Sequence, residues 1–195
     1  RIMETLEKHG ITDRTVIIFT SDNGGLIGPT NNAPLRSGKG YAYEGGIRVP
    51  LIIKWPGAVK GGTTSSEPVT SVDYLPTIAE AARLDLPKGV EIDGTSLVDH
   101  LLSGGKESLG RKAIYWHFPH YRHNPGPYSI IREGSWKLIK FYEGTMELFN
   151  LTDDLSEKKN LASAMPGKVK ELDTRLLAHL QSIGAKMPKP NSEKK

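Results

Sequence analysis

The sequence predicts an α/β fold that runs on into a small antiparallel-sheet subdomain packed by a C-terminal helix. Three observations predict it. A short amphipathic segment leads within a few residues into a continuous apolar, β-branched run, which is an α/β signature. Past Lys112 the pattern changes to four short strand-like segments with Glu-Gly pairs between them. A last stripe of leucines then recurs at helical spacing.

Each element follows from its residues. Ile2, Met3, Leu6 and Ile11 lie on a helical stripe with Glu4, Glu7 and Lys8 between them, and Gly10 ends it. A chain that starts with Arg1 inside such a helix, with no signal peptide, is expected to be a piece of a longer one. Thr15-Val-Ile-Ile-Phe-Thr20 shows no alternation, as expected of a strand buried on both faces of a parallel sheet. Residues 21–46 are rich in Gly, Asn and Pro, and a loop this long between two strand-like segments points to function. Val49 to Trp55 is the second strand segment, closed by Pro56-Gly57. Residues 73–83 read as a helix with Asp73 at its N-cap and Pro76 in its first turn. Asp93–Leu102 reads as a second short helix ended by Gly104-Gly105. Ala113–Phe118, Tyr128–Arg132, Trp136–Tyr142 and Met146–Leu151 form a meander with turns at Glu133-Gly134 and Glu143-Gly144. Leu161, then Val169, Leu172, Leu176, Leu177 and Leu180, mark the final helix, expected to pack on the meander. The boundary between the two parts is placed near residues 104–112. The expected divisions are 1–108 for the α/β part, 109–183 for the antiparallel subdomain and 184–195 for a flexible tail.

Composition narrows the function. The chain has 195 residues, 37% hydrophobic and 25% charged, enough for a proper core. No apolar run approaches the ~18 residues of a membrane span, so no transmembrane segment is expected. The net charge is +4. Much of that excess sits on Lys186, Lys189, Lys194 and Lys195 in a tail-like stretch, so no nucleic-acid partner is expected. A modest positive balance suits an anionic substrate. The absence of cysteine removes disulfides, thiolate ligands and a cysteine nucleophile from these residues.

Chemistry concentrates in the loop. Thr20-Ser-Asp22-Asn23-Gly-Gly25 follows the first strand directly, and ligands of α/β sheets gather at strand ends. Asp22 offers a carboxylate and Asn23 a carbonyl oxygen, hard donors that suit Ca²⁺ or, less well, Mg²⁺. The alternative is a plain Asn-Gly turn. Next, Arg36, Lys39 and Arg48 place three cations in a glycine-rich run, where a lysine and backbone N–H groups can grip an oxyanion. Alternatively Arg36 and Arg48 tie the loop to carboxylates such as Glu44. The spacing is not that of a nucleotide-phosphate loop. His117, His120 and His123 cluster around Pro119, either as a substrate-rim loop or as a surface loop with His117 half-buried at a strand end. Trp116, Tyr121 and Tyr128 could stack on a sugar ring or belong to the core.

These motifs resemble, in order, the type I sulfatase (arylsulfatase) family. The resemblance rests on Thr15–Gly25, Pro34-Leu-Arg-Ser-Gly-Lys-Gly40, Tyr43-Glu-Gly-Gly-Ile-Arg-Val-Pro50 and Trp55-Pro-Gly57. Ser71–Ile78, Asp93–Leu97 and Glu147–Leu161 extend it. The resemblance implies the C-terminal part of an alkaline-phosphatase-like α/β fold with a mixed sheet. It implies calcium held through Asp22 and Asn23, and Lys39 on the sulfate as a catalytic and substrate-binding residue; beside it, the rim reading of the histidine cluster gives His117 and His120 as substrate-binding residues. It also implies a formylglycine nucleophile made within a Cys/Ser-x-Pro-x-Arg motif. That motif is absent here; Asn32-Ala-Pro-Leu-Arg36 has the spacing, but an amide cannot become the aldehyde. The nucleophile and the upstream acidic ligands are therefore expected from a missing N-terminal part, and the 195 residues alone are expected to be inactive. The expected substrate is a sulfated small molecule or, more specifically, a sulfated carbohydrate. Expected partners are the N-terminal part of the same enzyme or a second copy in a homo-oligomer. Export is expected, to a periplasmic, secreted or lysosomal location. Two other readings stand beside this one: a phosphodiesterase or phosphonate hydrolase of the same superfamily, and a non-catalytic substrate-binding remnant.

Overall fold

The computed structural model describes residues 1–123 and 125–189. The chain divides into two compact units, Arg1–Thr20 with Leu51–Arg111, and Ser21–Pro50 with Lys112–Lys195.

In the first unit, α1 (Ile2–Lys8) ends before Gly10, whose φ of 63° only glycine adopts readily. β1 (Ile17–Thr20) pairs with β2 (Leu51–Lys54), with Ile17 opposite Lys54 and Thr20 opposite Leu51. The pairing is antiparallel, so the parallel neighbour expected from the apolar run is not what β1 shows among the described residues. Phe19 and Ile52 are 60% and 62% exposed, so neither strand is covered on both faces in this unit. An unalternating apolar run tells that both faces favour burial; it carries no information on strand direction. Direction is seen only in the register, where residues 51–54 return antiparallel alongside β1.

After the single turn of α2 (Glu44–Ile47), which lies in the long loop, α3 (Tyr74–Ala81) follows a single 3₁₀ turn, Ser71–Asp73. Asp73 stands at the predicted N-cap position, yet its side chain makes no cap bond to α3. Its buried carboxylate instead accepts the Thr70 N–H (2.8 Å), the Thr95 N–H (2.9 Å) and the Arg111 guanidinium (2.6 Å). The helix expected over 93–102 is shorter, α4 (Val98–Leu102). Gly94 packs so closely on the Val72 carbonyl that a Cβ would lie 2.0 Å from its oxygen, and the Thr95 N–H is committed to Asp73. Residues 93–97 are thereby kept out of the helix.

The second unit is the meander of β3 (Ile114–Phe118), β4 (Tyr128–Glu133), β5 (Trp136–Phe141) and β6 (Met146–Asn150), all antiparallel and in sequence order. Ile131 faces Leu138, and Leu138 faces Leu148. These three pack against Leu172, Leu176 and Leu180 of α5 (Pro166–Ser182). Burial of each such side chain contributes about 1.5–3 kcal/mol. On the other face, Ile130, Ile139 and Phe149 pack with Ala42 and Tyr43 from the glycine-rich loop. Both faces of the sheet are thus covered, and the loop that carries the candidate site is itself part of a core. Of the expected tail, residues 184–189 are hydrogen-bonded to the rest of the subdomain, by the Gly184 and Ala185 N–H groups to the end of the last helix and by two carbonyls to side chains. Lys186 O lies 2.9 Å from His117 Nε2, and Lys189 O accepts from the Tyr121 hydroxyl (2.9 Å). Residues 190–195, with Lys194 and Lys195, lie outside the described residues.

Candidate functional site

The loop of residues 21–50 is built from backbone packed on backbone. The Gly24 N–H donates to Gly46 O (3.0 Å), and a Cβ on Gly24 would fall 1.8 Å from Gly45 O. The Lys39 N–H donates to Gly25 O (3.0 Å), and the Asn32 side-chain amide donates to both Gly25 O (2.8 Å) and Ser37 O (3.0 Å). The Gly45 N–H donates to Arg36 O (2.8 Å). The turn Asp22–Gly25 and the Lys39 segment are therefore hydrogen-bonded neighbours, a direct result of glycines at the contact points. Asp22 and Lys39 are exposed, Asn23 is half-buried, and among the described residues neither charged side chain has an ion pair.

Arg36 and Arg48, the other two cations of the loop, are structural. Arg36 donates to Glu157 O (2.9 Å), lies 3.6 Å from Glu147 and sits over the Tyr43 ring at 3.6 Å. Arg48 stands 3.7 Å from Glu44. Burial, with Glu147 alongside and Arg36 opposing, pushes the Tyr43 hydroxyl up to about 12.

Beneath the loop lies a charge cluster that the motifs do not announce. Lys137 is fully buried, with its ammonium 2.9 Å from Glu44 and 2.8 Å from Glu157. Glu157 also accepts the Glu44 backbone N–H (2.6 Å). Burial raises the Glu157 pKa, and Lys137 works against that shift. One signal was available in the sequence. Lys137 is in phase with Ile139 and Phe141 on β5, the inward face of a strand, where a lysine needs a partner.

The histidines separate. His117 Nδ1 is 2.7 Å from Ser129 Oγ and its Nε2 is 2.9 Å from Lys186 O, so both ring nitrogens are engaged within the subdomain. His120 is exposed and edge-on to Phe118. His123 stacks flat on Tyr41, ring centroids 4.4 Å apart, and packs over Gly40 beside Lys39. Tyr128 belongs to the core and Tyr121 to a hydrogen-bonded corner with Glu143.

Calcium takes six to eight oxygens. Asp22 and Asn23 supply two hard donors on an open turn, which fits part of such a shell. Among the described residues no group of three or more His, Asp or Glu side chains converges to complete one.

Residues 37–186 match the family model described as N-sulphoglucosamine sulphohydrolase, C-terminal. A protein named sulfatase from Formosa agariphila is 39% identical over 176 residues, covering 82% of this chain and 31% of its own length. The N-acetylglucosamine-6-O-sulfatase of Bacteroides thetaiotaomicron is 36% identical over 169 residues, covering 83% and 29%. A solved structure in complex with its substrate D-glucosamine-2-N,6-O-disulfate matches with a TM-score of 0.78 at 31% identity, over 100% of this chain and 39% of that one. The chain thus spans well under half the length of these relatives.

Proposed function

Because this chain belongs to the sulfatase family and carries the C-terminal part of its alkaline-phosphatase-like fold, we propose that it supplies the calcium- and sulfate-gripping half of a sulfuric ester hydrolase for sulfated carbohydrates. One observation carries the reading: the Lys39 N–H to Gly25 O bond brings the lysine segment against the Asp22–Asn23 turn. Two similar proteins support the substrate class, one named for N-acetylglucosamine 6-O-sulfate and one solved with a disulfated glucosamine.

In this reading Asp22 and Asn23 hold part of the calcium shell, and the remaining donors come from outside these 195 residues. Calcium, when bound, supplies positive charge to the sulfate oxygens. The formylglycine nucleophile likewise lies outside them, so the chain alone turns over no ester. Lys39 balances the charge that grows on the sulfate as the ester bond breaks, and offers a proton to the leaving oxygen. Its exposed ammonium is free of any carboxylate among the described residues, so no partner must be displaced when an anion arrives. His120 stands at the rim, whereas the engaged ring nitrogens of His117 suit a bracing role better than direct contact. An exported location goes with this reading. No described helix is long and apolar enough to cross a membrane.

The test is Lys39→Ala in the enzyme that unites this chain with its nucleophile. It should lower kcat/KM on a sulfate ester about 100- to 1,000-fold, the scale of one lost oxyanion donor. The thermal unfolding midpoint should not move, since the side chain is exposed. Unchanged kinetics would remove Lys39 from the sulfate site.

A further inference from the structure

Resting on that reading, we propose that Arg122 determines specificity: it reads a second anionic group, a sulfate or a carboxylate, carried by the substrate near the sulfate that is cleaved. His123 is the positioning residue that keeps it there.

Arg122 is exposed, and among the described residues it has neither an ion pair nor a hydrogen bond. Its Nε approaches Gly40 closely, 3.2 Å from where a Cβ would stand, and Gly40 is the residue next to Lys39. Its charge also reaches Tyr128, acting against the burial that raises the Tyr128 hydroxyl pKa. Two unpartnered cations therefore flank one glycine. A guanidinium presents a planar fork that fits a sulfate or carboxylate at two points, and a lysine cannot substitute for that geometry.

The placement is built by the fold. The His123 ring stacks on Tyr41 at 4.4 Å with planes 6° apart, and its Nε2 would meet a Gly40 Cβ at 2.7 Å. That nitrogen is buried and has no hydrogen-bond partner among the described residues, an uncompensated polar atom. Its stacking position over Gly40 thus outweighs the lost bond. Gly40 has φ 88°, so a side chain there would be strained as well as blocked. The segment is pinned on both sides, by Tyr121 to Lys189 O (2.9 Å) and by the Gly126 N–H to His123 O (2.7 Å). Arg122 is thereby carried at a fixed place beside the lysine segment rather than on a free loop tip.

The test is calorimetric binding, in excess Ca²⁺, to the enzyme that unites this chain with its nucleophile, carried as a nucleophile variant that cannot turn over the ester. Three probes are used: glucosamine 6-sulfate, glucosamine 2-N,6-O-disulfate, and a glucuronate-linked N-acetylglucosamine 6-sulfate. This enzyme should bind at least one doubly anionic probe about tenfold more tightly than glucosamine 6-sulfate, the scale of one charge-assisted contact. Whichever probe shows it identifies the second group as sulfate or carboxylate. Arg122→Ala should bring that ratio to about one with glucosamine 6-sulfate binding unchanged, and Arg122→Lys should recover only part of it. His123→Ala should lower the ratio, and His123→Phe, which keeps a ring stacked on Tyr41, should retain it. A ratio near one in the enzyme with Arg122 in place, or a full ratio in Arg122→Ala, would overturn the inference and leave the sulfatase reading intact. Absence of binding by every probe, or binding indifferent to Lys39→Ala, would overturn the sulfatase reading and the inference with it.

Discussion

Lys137 is the residue on which the packing of the loop against the sheet most depends. It faces two carboxylates, Glu44 from the loop and Glu157 from the segment after β6, all three essentially without solvent. Removing one partner of a buried ionic cluster leaves the others uncompensated, at a cost of about 3–5 kcal/mol. Lys137→Met should therefore lower the unfolding free energy by about that much in urea titrations; a loss below about 1 kcal/mol would show that the cluster is not what holds the loop down. At this scale the sequence was partly legible. Asp22, Asn23 and Lys39 stand in compact motifs, and the structure brings their segments together through the Lys39 N–H to Gly25 O bond. Arg36 and Arg48 sit among similar residues, yet their partners settle them as struts, as one of the two sequence readings held. Glu157 was not legible, because its partner Glu44 lies 113 residues away in the chain and no periodicity joins them.

The loop of residues 21–50 works as an element although it contains little regular structure beyond the single turn of α2 (Glu44–Ile47). Its glycines let three stretches of backbone lie in contact, and the closest contact is Gly24 on Gly45 O. Gly24→Ala should destabilise the chain by about 1–3 kcal/mol, the usual cost of forcing atoms into a filled site. Gly61→Ala, where an added Cβ meets nothing within 4 Å, should stay within about 0.5 kcal/mol. Equal thermal midpoints for the two variants would contradict this account of the loop. The strands and α5 were legible because period-2 and period-3.6 burial are local properties: Ile131, Leu138 and Leu148 meet Leu172, Leu176 and Leu180 as their spacing requires. The antiparallel partner of β1 and the non-helical run 93–97 were not. Each is decided by a distant contact, the return of β2 in one case and the Asp73 carboxylate in the other.

Across the whole molecule, the buried apolar side chains are unequally shared. Among the described residues the first unit buries Ala79, Leu97 and Val98, while the second encloses the two-faced meander with its leucine and isoleucine layers. The candidate half-site belongs to the second unit, so its geometry is set by the better-packed part of the chain. The chain spans well under half the length of the relatives it matches. The acid–amide pair after β1 is proposed to hold calcium for the lysine-gripped sulfate. Elemental analysis of the purified enzyme that unites this chain with its nucleophile tests it most directly. Calcium bound per molecule should fall sharply in Asp22→Ala and in Asn23→Ala, with the folded state preserved by circular dichroism. Calcium content equal to that of the unaltered enzyme in both variants would contradict the assignment.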